Sequence, residues 1–468
     1  MKRREFLQFT GAAGAILSQG TAWPQVADPA SPRPTVFDSD GKIAGRTLDE
    51  LITRYRHDLF DDFLPFMDQH IVDHKYGGFM TDADRAGKLV STNKRTRYNG
   101  RGIWIYAHLY SSLDPDRRHL DVARRTIDFT LRAKPRGAAL WPNALTREGM
   151  PMEDPGMLIA GKQYRTEGEV YDDLFVAEGL VAYAKASGRE KYIARAIDIL
   201  LNAEKIYDQP DYAPTAPLVY LGGEDAPVVP GCRLLGVWMM LIRVTSQLLE
   251  VNDHSEVQRI ADRSIEAILT HHYNADFDLL VEVLNHDFSR PVAPYDQLSY
   301  SGHGIETLWM VLAEAVRRKD RTLFDQAARL FKRHLDCAWD DVYQGWFRGC
   351  KHVDDNVWIL DKALWVQEEA LIGLMLILEH TGAEWAKAWL AKAYPYVINH
   401  FPLAPHGYAL WDIYPDRKVT FVEHFTRIEN YHHPRHLMLN LEALERMKAR
   451  RGSMSDVFLH GQENQDLP

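Results

Sequence analysis

Cysteine is scarce in this chain, which has 3 cysteines among 468 residues. Cys232, Cys337 and Cys350 are an odd number, they are widely spaced, and no Cys-x-x-Cys pair occurs. This pattern argues against a disulfide framework and against a structural zinc site built on thiolates. Their spacing alone leaves open whether Cys337 and Cys350 pair with each other.

A basic surface and a long apolar run are also missing. Lys and Arg number 55 against 65 Asp and Glu, and the formal net charge is -10, whereas nucleic-acid binding requires a basic face. No segment approaches the roughly 20 consecutive apolar residues of a membrane helix, and no Gly-x-x-x-x-Gly-Lys phosphate loop is present. We therefore expect no nucleic-acid partner, no stable membrane insertion and no dependence on nucleotide.

The N-terminus has the pattern of an export signal. Lys2-Arg3-Arg4 precedes a short, weakly apolar segment from Phe9 to Leu17, and a Pro-rich stretch follows from Pro24 to Pro34. This order resembles a twin-arginine signal. We expect residues 1–30 to be signal peptide and linker, and the exported protein to be periplasmic.

From Thr47 onward, the spacing of apolar residues predicts helices almost everywhere, separated by Gly, Pro and Asp. With 46% hydrophobic residues, the chain can bury a sizeable core. We expect one domain over residues 45–450, followed by a flexible tail over residues 451–468. The twelve predicted helices cover residues 47–72, 98–113, 118–133, 167–187, 190–206, 233–251, 255–272, 302–318, 322–338, 362–382, 384–400 and 431–449.

Short and long connections alternate between these helices. Turns such as Ser187-Gly188 force the helices they join to lie antiparallel. The other connections run to roughly two to three dozen residues, the range in which loops carry function. Several of them repeat an aromatic-glycine phrase that predicts a hairpin. The phrase occurs at residues 74–87, 342–347 and 406–416, and in a weaker form at residues 272–277.

A repeated unit of a helix pair and a hairpin loop predicts a ring of six pairs, with the first helix as the outer partner of the last. This is an all-α fold, the (α/α)6 barrel or toroid, and all of its inner helices run in the same direction. Their first turns therefore converge on one mouth, which the long loops cover.

We expect the chemistry at this mouth, because polar and titratable side chains collect in the converging first turns. Burying several charges together is costly unless they are paired or used. The candidates are Asn99, Arg101 and Trp104 on one helix, His303 and Glu306 on another, Trp365, Gln367 and Glu369 on a third, and His432 and Arg435 on a fourth. Gly302 and Gly304 flank His303, and we expect them to leave room for a substrate carbon beside the imidazole.

Two imidazoles that face each other across a cavity suit the removal of a proton from carbon on one side and its return from the other. The ordinary pKa of histidine is about 6.5, so one ring can be the neutral base while the other is the charged acid. Parallel helix N-termini add positive potential, which favours an enediolate over its neutral parent.

A metal site is an alternative use of the histidines. His432, His433 and His436 contain an i, i+4 pair, and His271-His272 add further imidazole. There is no His-Glu-x-x-His, however, and Pro434 disturbs the turn. We therefore expect no metal and no cofactor.

Glycoside hydrolysis or lysis is a second alternative, because helical barrels of this kind host such enzymes. Hydrolysis needs two carboxylates across the scissile bond. Asp172-Asp173 and Asp354-Asp355 are the candidate pairs, although adjacent Asp residues are commoner as helix caps or loop ends. A sugar-binding module without catalytic activity is a third alternative.

Five phrases spread along residues 47–449 carry a family resemblance. They are Gly77-Gly78-Phe79 with Asp84-Arg85-Ala86-Gly87, Asn99-Gly100-Arg101-Gly102-Ile103-Trp104, Gly302-His303-Gly304-Ile305-Glu306, Lys362 with Trp365-Val366-Gln367-Glu368-Glu369-Ala370, and Tyr431-His432-His433-Pro434-Arg435. Together they resemble the N-acylglucosamine 2-epimerase family, which includes cellobiose 2-epimerases, mannose 2-epimerases and aldose-ketose isomerases. Asn99 stands where the family usually has Gln. The segment Gly236-Val237-Trp238-Met239-Met240-Leu241 resembles the acylglucosamine branch more than the disaccharide branch.

The resemblance implies a cofactor-independent isomerase that epimerises a small reducing sugar at C2. It implies that His303 and His432 are the acid/base pair, that Arg101 helps to hold the sugar oxygens, and that Glu306 and Glu369 orient or polarise the site. The remaining candidates are expected to bind substrate, with Trp365 packing on the sugar face; they are Asn99, Trp104, Gln367 and Arg435.

Return of the proton to C1 instead of C2 would yield a ketose. An aldose-ketose isomerase is therefore the close alternative, since the same two histidines serve both reactions. We expect the protein to be a monomer or a homodimer.

Overall fold

The computed structural model describes residues 35–152, 158–159, 162–163, 168–215, 228–413 and 427–458. These residues form twelve helices longer than one turn. They are α1 (α-helical turns Leu48–Arg56 and Leu64–Phe66 that alternate with π-helical turns His57–Phe63 and Met67–Ile71), α2 (Thr96–Ser112), α3 (Arg117–Arg132), α4 (Val170–Ser187), α5 (Lys191–Tyr207), α6 (Leu235–Leu249), α7 (Ser255–Glu266, continued by the π-helical turn Ala267–His271), α8 (Ser301–Arg318), α9 (Arg321–Ala338), α10 (Leu364–Thr381), α11 (Glu384–His400) and α12 (His432–Ala449).

All twelve helices predicted from apolar spacing are confirmed, and every boundary lies within three residues of its predicted position. The helices that begin the barrel units are buried on nearly all sides, as in α4 and α10. Their partners, such as α3 and α9, bury only one stripe of apolar residues. This difference is expected between helices inside a ring and helices around it.

The even-numbered helices form a closed inner ring. Each packs against the next even-numbered helix, and α12 returns to contact α2. Helices α3, α5, α7, α9 and α11 each pack outside the inner helix that precedes them, and α1 packs outside α12. The predicted all-α, (α/α)6 architecture is therefore confirmed, including the use of the first helix as the outer partner of the last.

The long loops carry short antiparallel pairs of strands. These are β1 (Lys94–Arg95) with β2 (Ala144–Leu145), β3 (Leu158–Ile159) with β4 (Lys162–Gln163), β5 (Arg233–Leu234) with β8 (Val283–Leu284), β6 (Tyr273–Asn274) with β7 (Leu279–Leu280), and β9 (Gly349–His352) with β10 (Val357–Ile359). The aromatic-glycine phrases close hairpins at Val72–Phe79, Trp339–Trp346 and Pro402–Trp411, and the weaker phrase forms β6 and β7. The last part of the phrase at 406–416 lies outside the described residues.

Each of these loops also attaches to the start of its inner helix through the backbone. In four units, an N–H at the start of the inner helix donates to a carbonyl of the loop that follows the outer helix. The pairs are Thr96 to Asn143 (3.0 Å), Leu235 to Glu282 (2.9 Å), Gly302 to Arg348 (3.0 Å) and Leu364 to Ile413 (2.9 Å). The first N–H groups of a helix have no partner within the helix, so this repeated contact fixes loop residues against the mouth.

The C-terminal segment differs from its prediction. Residues 451–458, which we expected to begin a flexible tail, pack on the barrel. The N–H of Val36 donates to the carbonyl of Gly452 (2.9 Å), and the N–H of Ser455 donates to that of Glu379 (2.9 Å). The ring of Phe458 lies 5.0 Å from that of Phe324. The Phe458 side chain and these backbone hydrogen bonds attach residues 451–458 to the barrel. The predicted flexible tail is therefore limited to residues 459–468.

The sequence also predicts an export signal and no stable membrane insertion, and it leaves the pairing of the cysteines open. The predicted export signal lies within residues 1–34, outside the described residues, and it remains a prediction. Among the helices in the described part of the chain, none is both long enough and apolar enough to cross a bilayer. Cys232, Cys337 and Cys350 are free thiols.

Replacing Gly373 by Ala tests the packing of α9 against α10. A Cβ at residue 373 would lie 2.3 Å from Cζ of the fully buried Phe331. Ala favours a helix over Gly by about 1 kcal/mol, but overpacking costs about 1–3 kcal/mol. We expect a lower melting temperature, partly restored when Phe331→Leu is added. A Gly373→Ala variant that melts at or above the wild-type temperature would contradict this packing.

Candidate active site

A cavity of about 240 Å³ opens at the N-terminal ends of the inner helices. All six inner helices contribute to its wall. Their contributions include Arg101 from α2, Tyr171 from α4, Gly236 from α6, His303 from α8, Trp365 from α10 and His432 from α12. The predicted convergence of the first helical turns on one mouth is confirmed.

His303 is oriented by a carboxylate from a loop. Its Nδ1–H donates to Oε1 of Glu282 over 2.9 Å, and the Glu282 side chain is only 1% exposed. Because Nδ1 is engaged, Nε2 is the ring nitrogen left to react, and it has no hydrogen-bond partner among the described residues. The carbonyl of Glu282 accepts the N–H of Leu235 at the start of α6, which fixes the position of the carboxylate.

His432 is oriented in the same way from a neighbouring helix. Its Nδ1–H donates to Oε1 of Glu369 on α10 over 2.8 Å, and Glu306 on α8 lies 3.8 Å from the same nitrogen. Nη2 of Arg435 donates to Glu306 (2.5 Å) and to Glu369 (2.6 Å). One guanidinium therefore neutralises two buried carboxylates and joins α8, α10 and α12.

The two carboxylate–imidazole pairs differ in whether a second cation binds the carboxylate. Burial alone would lower the pKa of His303, but the charge and hydrogen bond of Glu282, together with Glu306, outweigh burial and raise it. Burial alone would raise the pKa of Glu369, but Arg435 and His432 outweigh burial and lower it to about 2. Among the described residues, no Lys or Arg forms an ion pair with Glu282, whereas Glu369 is paired with Arg435.

Trp365 lies next to both imidazoles. Its ring centroid is 6.0 Å from that of His303 and 5.4 Å from that of His432. The ring of Tyr300 contacts that of His303 at an interplanar angle of 45°, with ring centroids 4.2 Å apart. The cavity thus contains an aromatic face between two titratable rings, an arrangement that suits the apolar face of a sugar.

Arg101 presents to the cavity a charge that no ion pair neutralises within the described residues. Its guanidinium stacks on Phe175 (4.3 Å to the ring centroid) and lies 5.0 Å from the ring of Tyr431. Within the described part of the chain it forms no ion pair, and its buried Nε has no hydrogen-bond partner. A cation held by ring faces is available to bind a partially negative oxygen of a ligand.

The glycines beside His303 have a role other than the one predicted. A Cβ at residue 302 would lie 2.4 Å from Trp365, and one at residue 304 would lie 2.5 Å from His334. Both positions are therefore filled by protein rather than open to substrate. The glycine that gives the imidazole its space is Gly236, where a Cβ would lie 2.9 Å from Cε1 of His303.

Five of the predicted site residues line the cavity, namely Arg101, His303, Glu306, Trp365 and His432. Glu369 and Arg435 are buried behind the wall, where they contact His432 and Glu306, so Arg435 does not face the cavity in which we expected it to bind substrate.

Three further residues predicted to bind substrate are also absent from the cavity wall. The side chain of Asn99 accepts the N–H of Phe79, and Trp104 donates to Gln247. Gln367 forms hydrogen bonds with both the N–H and the carbonyl of Trp346. These side chains anchor loops and neighbouring helices because their positions on the inner helices face away from the mouth.

The aspartate pairs considered for hydrolysis do not face the cavity. Asp172 is buried and binds Arg97 over 2.9 Å, and Asp173 is buried and accepts the N–H of Trp141. Asp354 and Asp355 are exposed loop residues. None of the four lies in the cavity wall, so the geometry that glycoside hydrolysis needs is not formed by them.

Two groups within the described residues have ligand atoms close enough together to hold a metal ion. In the first group, Glu306, Glu369 and His432, the guanidinium of Arg435 already supplies the positive charge. The second group is Glu368 with His433 and His436, where Nδ1 of His433 lies 2.5 Å from Glu368 as in a hydrogen bond. The absence of a metal therefore stays an expectation.

Sequence reasoning missed three carboxylates of the wall, Glu169, Glu282 and Glu429. Glu282 is the single charge in the apolar run from Leu279 to Leu284, and that isolation was the available signal. Glu429 precedes α12 by three residues, a position from which a carboxylate can bind the first N–H groups of a helix. Neither signal by itself reveals which helix or imidazole the carboxylate contacts.

The barrel and its mouth, with two imidazoles that are each bound to a carboxylate, define an (α/α)6-barrel protein with a titratable site at one end of the ring. The family model described as N-acylglucosamine 2-epimerase (GlcNAc 2-epimerase) matches residues 77–433. The chain belongs to the N-acylglucosamine 2-epimerase family.

One curated relative is the N-acylglucosamine 2-epimerase of Mus musculus, which is 26% identical over 296 residues. The aligned region covers 61% of this chain and 65% of the mouse protein, slightly under two thirds of that relative's length. The cellobiose 2-epimerase of Bacillus thermoamylovorans B4167 has a TM-score of 0.69 at 15% identity and covers 85% of this chain and 100% of its own. A D-mannose isomerase has a TM-score of 0.65 at 14% identity, with 85% and 97% covered. These structural similarities support the fold.

Replacing Gly236 by Ala tests the space around His303. The new methyl group would displace the imidazole from Glu282, and such misplacement can cost about 10- to 100-fold in turnover. Stability should not fall, because Ala favours the helix by about 1 kcal/mol. Gly373→Ala is the matched control, with lower stability but normal turnover per folded molecule. Wild-type turnover in Gly236→Ala would show that this glycine does not position His303.

Proposed function

We propose that the protein is a sugar 2-epimerase that interconverts the C2 epimers of a reducing sugar through an enediolate. The observation that carries the proposal is the matched pair of imidazoles, each bound to a carboxylate through Nδ1 and each beside Trp365. This arrangement leaves Nε2 of each ring for proton transfer. Family membership supports the same reaction type.

We infer different protonation states for the two rings in the resting enzyme. Glu282 is the unshared counter-charge of His303, so His303 carries a proton and is the acid. The carboxylate of Glu369, in contrast, binds both His432 and the permanent cation of Arg435. His432 is then the base that removes the C2 proton, and His303 delivers a proton to the opposite face.

Negative charge that develops on the enediolate oxygens requires stabilisation. Arg101 supplies a guanidinium that no described carboxylate neutralises through an ion pair. The inner helices also direct their N-terminal ends toward the cavity, and their dipoles favour negative charge there. Both contributions strengthen as the charge forms, which is the requirement for lowering the barrier rather than merely binding substrate.

An aldose-ketose isomerase is the second candidate, favoured by the shared fold of a D-mannose isomerase. The two reactions differ only in whether the proton returns to C2 or to C1. In D2O, the epimerase product carries deuterium at C2 and the isomerase product carries it at C1 of the ketose. NMR with a panel of reducing sugars that includes N-acetylglucosamine, N-acetylmannosamine, glucose, mannose and cellobiose distinguishes these outcomes.

Replacing His303 or His432 by Gln tests the two-base mechanism. Removal of either proton-transfer group should reduce kcat by about 100- to 10,000-fold while circular dichroism and melting behaviour stay close to wild type. The matched control is His271→Gln, which alters a histidine outside the cavity wall. Substantial turnover in either cavity variant would exclude the mechanism, as would a product without solvent deuterium.

The effect of Glu282 on His303 predicts how kcat/KM depends on pH. Glu282→Gln removes the charge that raises the pKa of His303, so the acid loses its proton at a lower pH. The basic limb of the profile of kcat/KM against pH should therefore move to lower pH, whereas Glu282→Asp should move it less. A basic limb that is unchanged in Glu282→Gln would show that His303 is not the acid, or that Glu282 does not control it.

A further inference from the structure

The inner helices differ in the side-chain hydrogen bonds that cap their N-terminal ends. The N-cap residues of α2, α6, α8 and α10 make no side-chain hydrogen bond to their helices in the described part of the chain. The N-cap residue of helix α4 is Glu169, whose carboxylate accepts an N–H of the first turn. Helix α12, which begins at His432, is approached by a carboxylate from Glu429, although its own N-cap residue Tyr431 forms no cap.

Glu429 binds the backbone that carries His432. Its Oε1 accepts the N–H of Tyr431 over 2.9 Å and the N–H of His432 over 3.2 Å. Its Oε2 lies 3.6 Å from Nη2 of Arg427, and the side chain is 8% exposed in the wall of the cavity. The carboxylate is therefore held in place by three groups, two of which belong to the first turn of α12.

This position gives Glu429 an effect on charge as well as on geometry. The N-terminal end of a helix is positive and disfavours a second positive charge, such as an imidazolium, in its first turn. A carboxylate at that end offsets the effect. Burial alone would raise the pKa of Glu429, but the charges of His432, Arg427 and Arg101 outweigh it and lower the pKa to about 2. Glu429 is thus an anion throughout the working pH range.

Other charged groups face His432 from every side. Glu369 on α10 and Glu306 on α8 contact its Nδ1, and Arg435 on α12 neutralises both. Arg101 on α2 brings a further positive charge to the same end of the cavity. Glu368 on α10 also interacts with His432, but burial raises the pKa of Glu368 to about 7. Arg435 binds Glu306 and Glu369, whereas within the described residues it forms no ion pair with Glu429.

We propose that Glu429 is a positioning residue for His432, which fixes the first turn of α12 and supplies the negative charge that makes this imidazole basic enough to remove a proton. The role as base rests on the proposed function, whereas the effect on the imidazole does not. The proposal predicts that a neutral residue with the same shape keeps the hydrogen bonds but makes His432 a weaker base.

The test compares Glu429→Gln with Glu169→Gln in the full-length protein. The amide oxygen of Gln can still accept the two backbone N–H groups, so Glu429→Gln removes mainly the charge. Glu169→Gln is the matched control, because it neutralises another capping carboxylate of the same cavity wall at a helix without a catalytic imidazole. The His432 ring signal is followed by NMR against pH in protein with labelled histidine, and it is assigned by its loss in His432→Gln.

In Glu429→Gln, the titration midpoint of His432 is expected to move to lower pH by about half a unit to one unit, with an unchanged melting temperature. In Glu169→Gln the midpoint should stay at the wild-type value. Glu429→Ala should both shift the midpoint and lower the melting temperature, because it also removes the cap. An unmoved midpoint in Glu429→Gln, or an equal shift in both Gln variants, would overturn the proposal.

Turnover separates this proposal from the proposed function. If the wild-type protein converts a sugar, the acid limb of kcat/KM in Glu429→Gln should follow the His432 midpoint to lower pH. A shifted midpoint in a protein that converts no sugar would refute the proposed function and leave the effect of Glu429 on the imidazole established.

Discussion

The site depends on one buried cluster of charges. The guanidinium of Arg435 is fully buried and binds both Glu306 and Glu369. Removing one partner of such a group leaves an uncompensated charge in a medium of low polarity, which is far more costly than losing an exposed pair. These contacts join α8, α10 and α12, the helices that carry His303, Trp365 and His432. The relative positions of the two imidazoles are therefore tied to the closure of the ring itself.

The long loops complete the cavity wall that the inner helices form. Their carbonyl groups bind the first N–H groups of α2, α6, α8 and α10, so each loop is fixed at the end of the helix where the cavity opens. Glu282 reaches His303 because of this attachment, since its carbonyl binds the start of α6 while its carboxylate binds the imidazole on α8. The barrel carries the two imidazoles, and a loop supplies the carboxylate that binds His303.

The helices, the hairpins and the closure of the ring could be predicted from sequence because they follow from local periodicity and connection length. His303 and His432 could be predicted because each stands at a helix start that the topology directs to the mouth. Side-chain direction within a first turn could not be predicted, since a change of one position rotates a residue by about 100°. Asn99, Trp104 and Gln367 consequently face loops and neighbouring helices. Glu282 lies in the loop segment between β7 and β8, whose place is set by tertiary contacts.

The central claim is that His303 and His432 act on one carbon from opposite sides. A crystal structure of the protein with an open-chain sugar alcohol tests this claim most directly, since such a ligand has the chain of the ring-opened substrate and does not react. The account predicts that C2 lies between the two rings, with each Nε2 within about 3.5 Å of it, and that Arg101 contacts an oxygen on C1 or C2. A ligand with C2 beside only one imidazole, or away from both, would contradict the account.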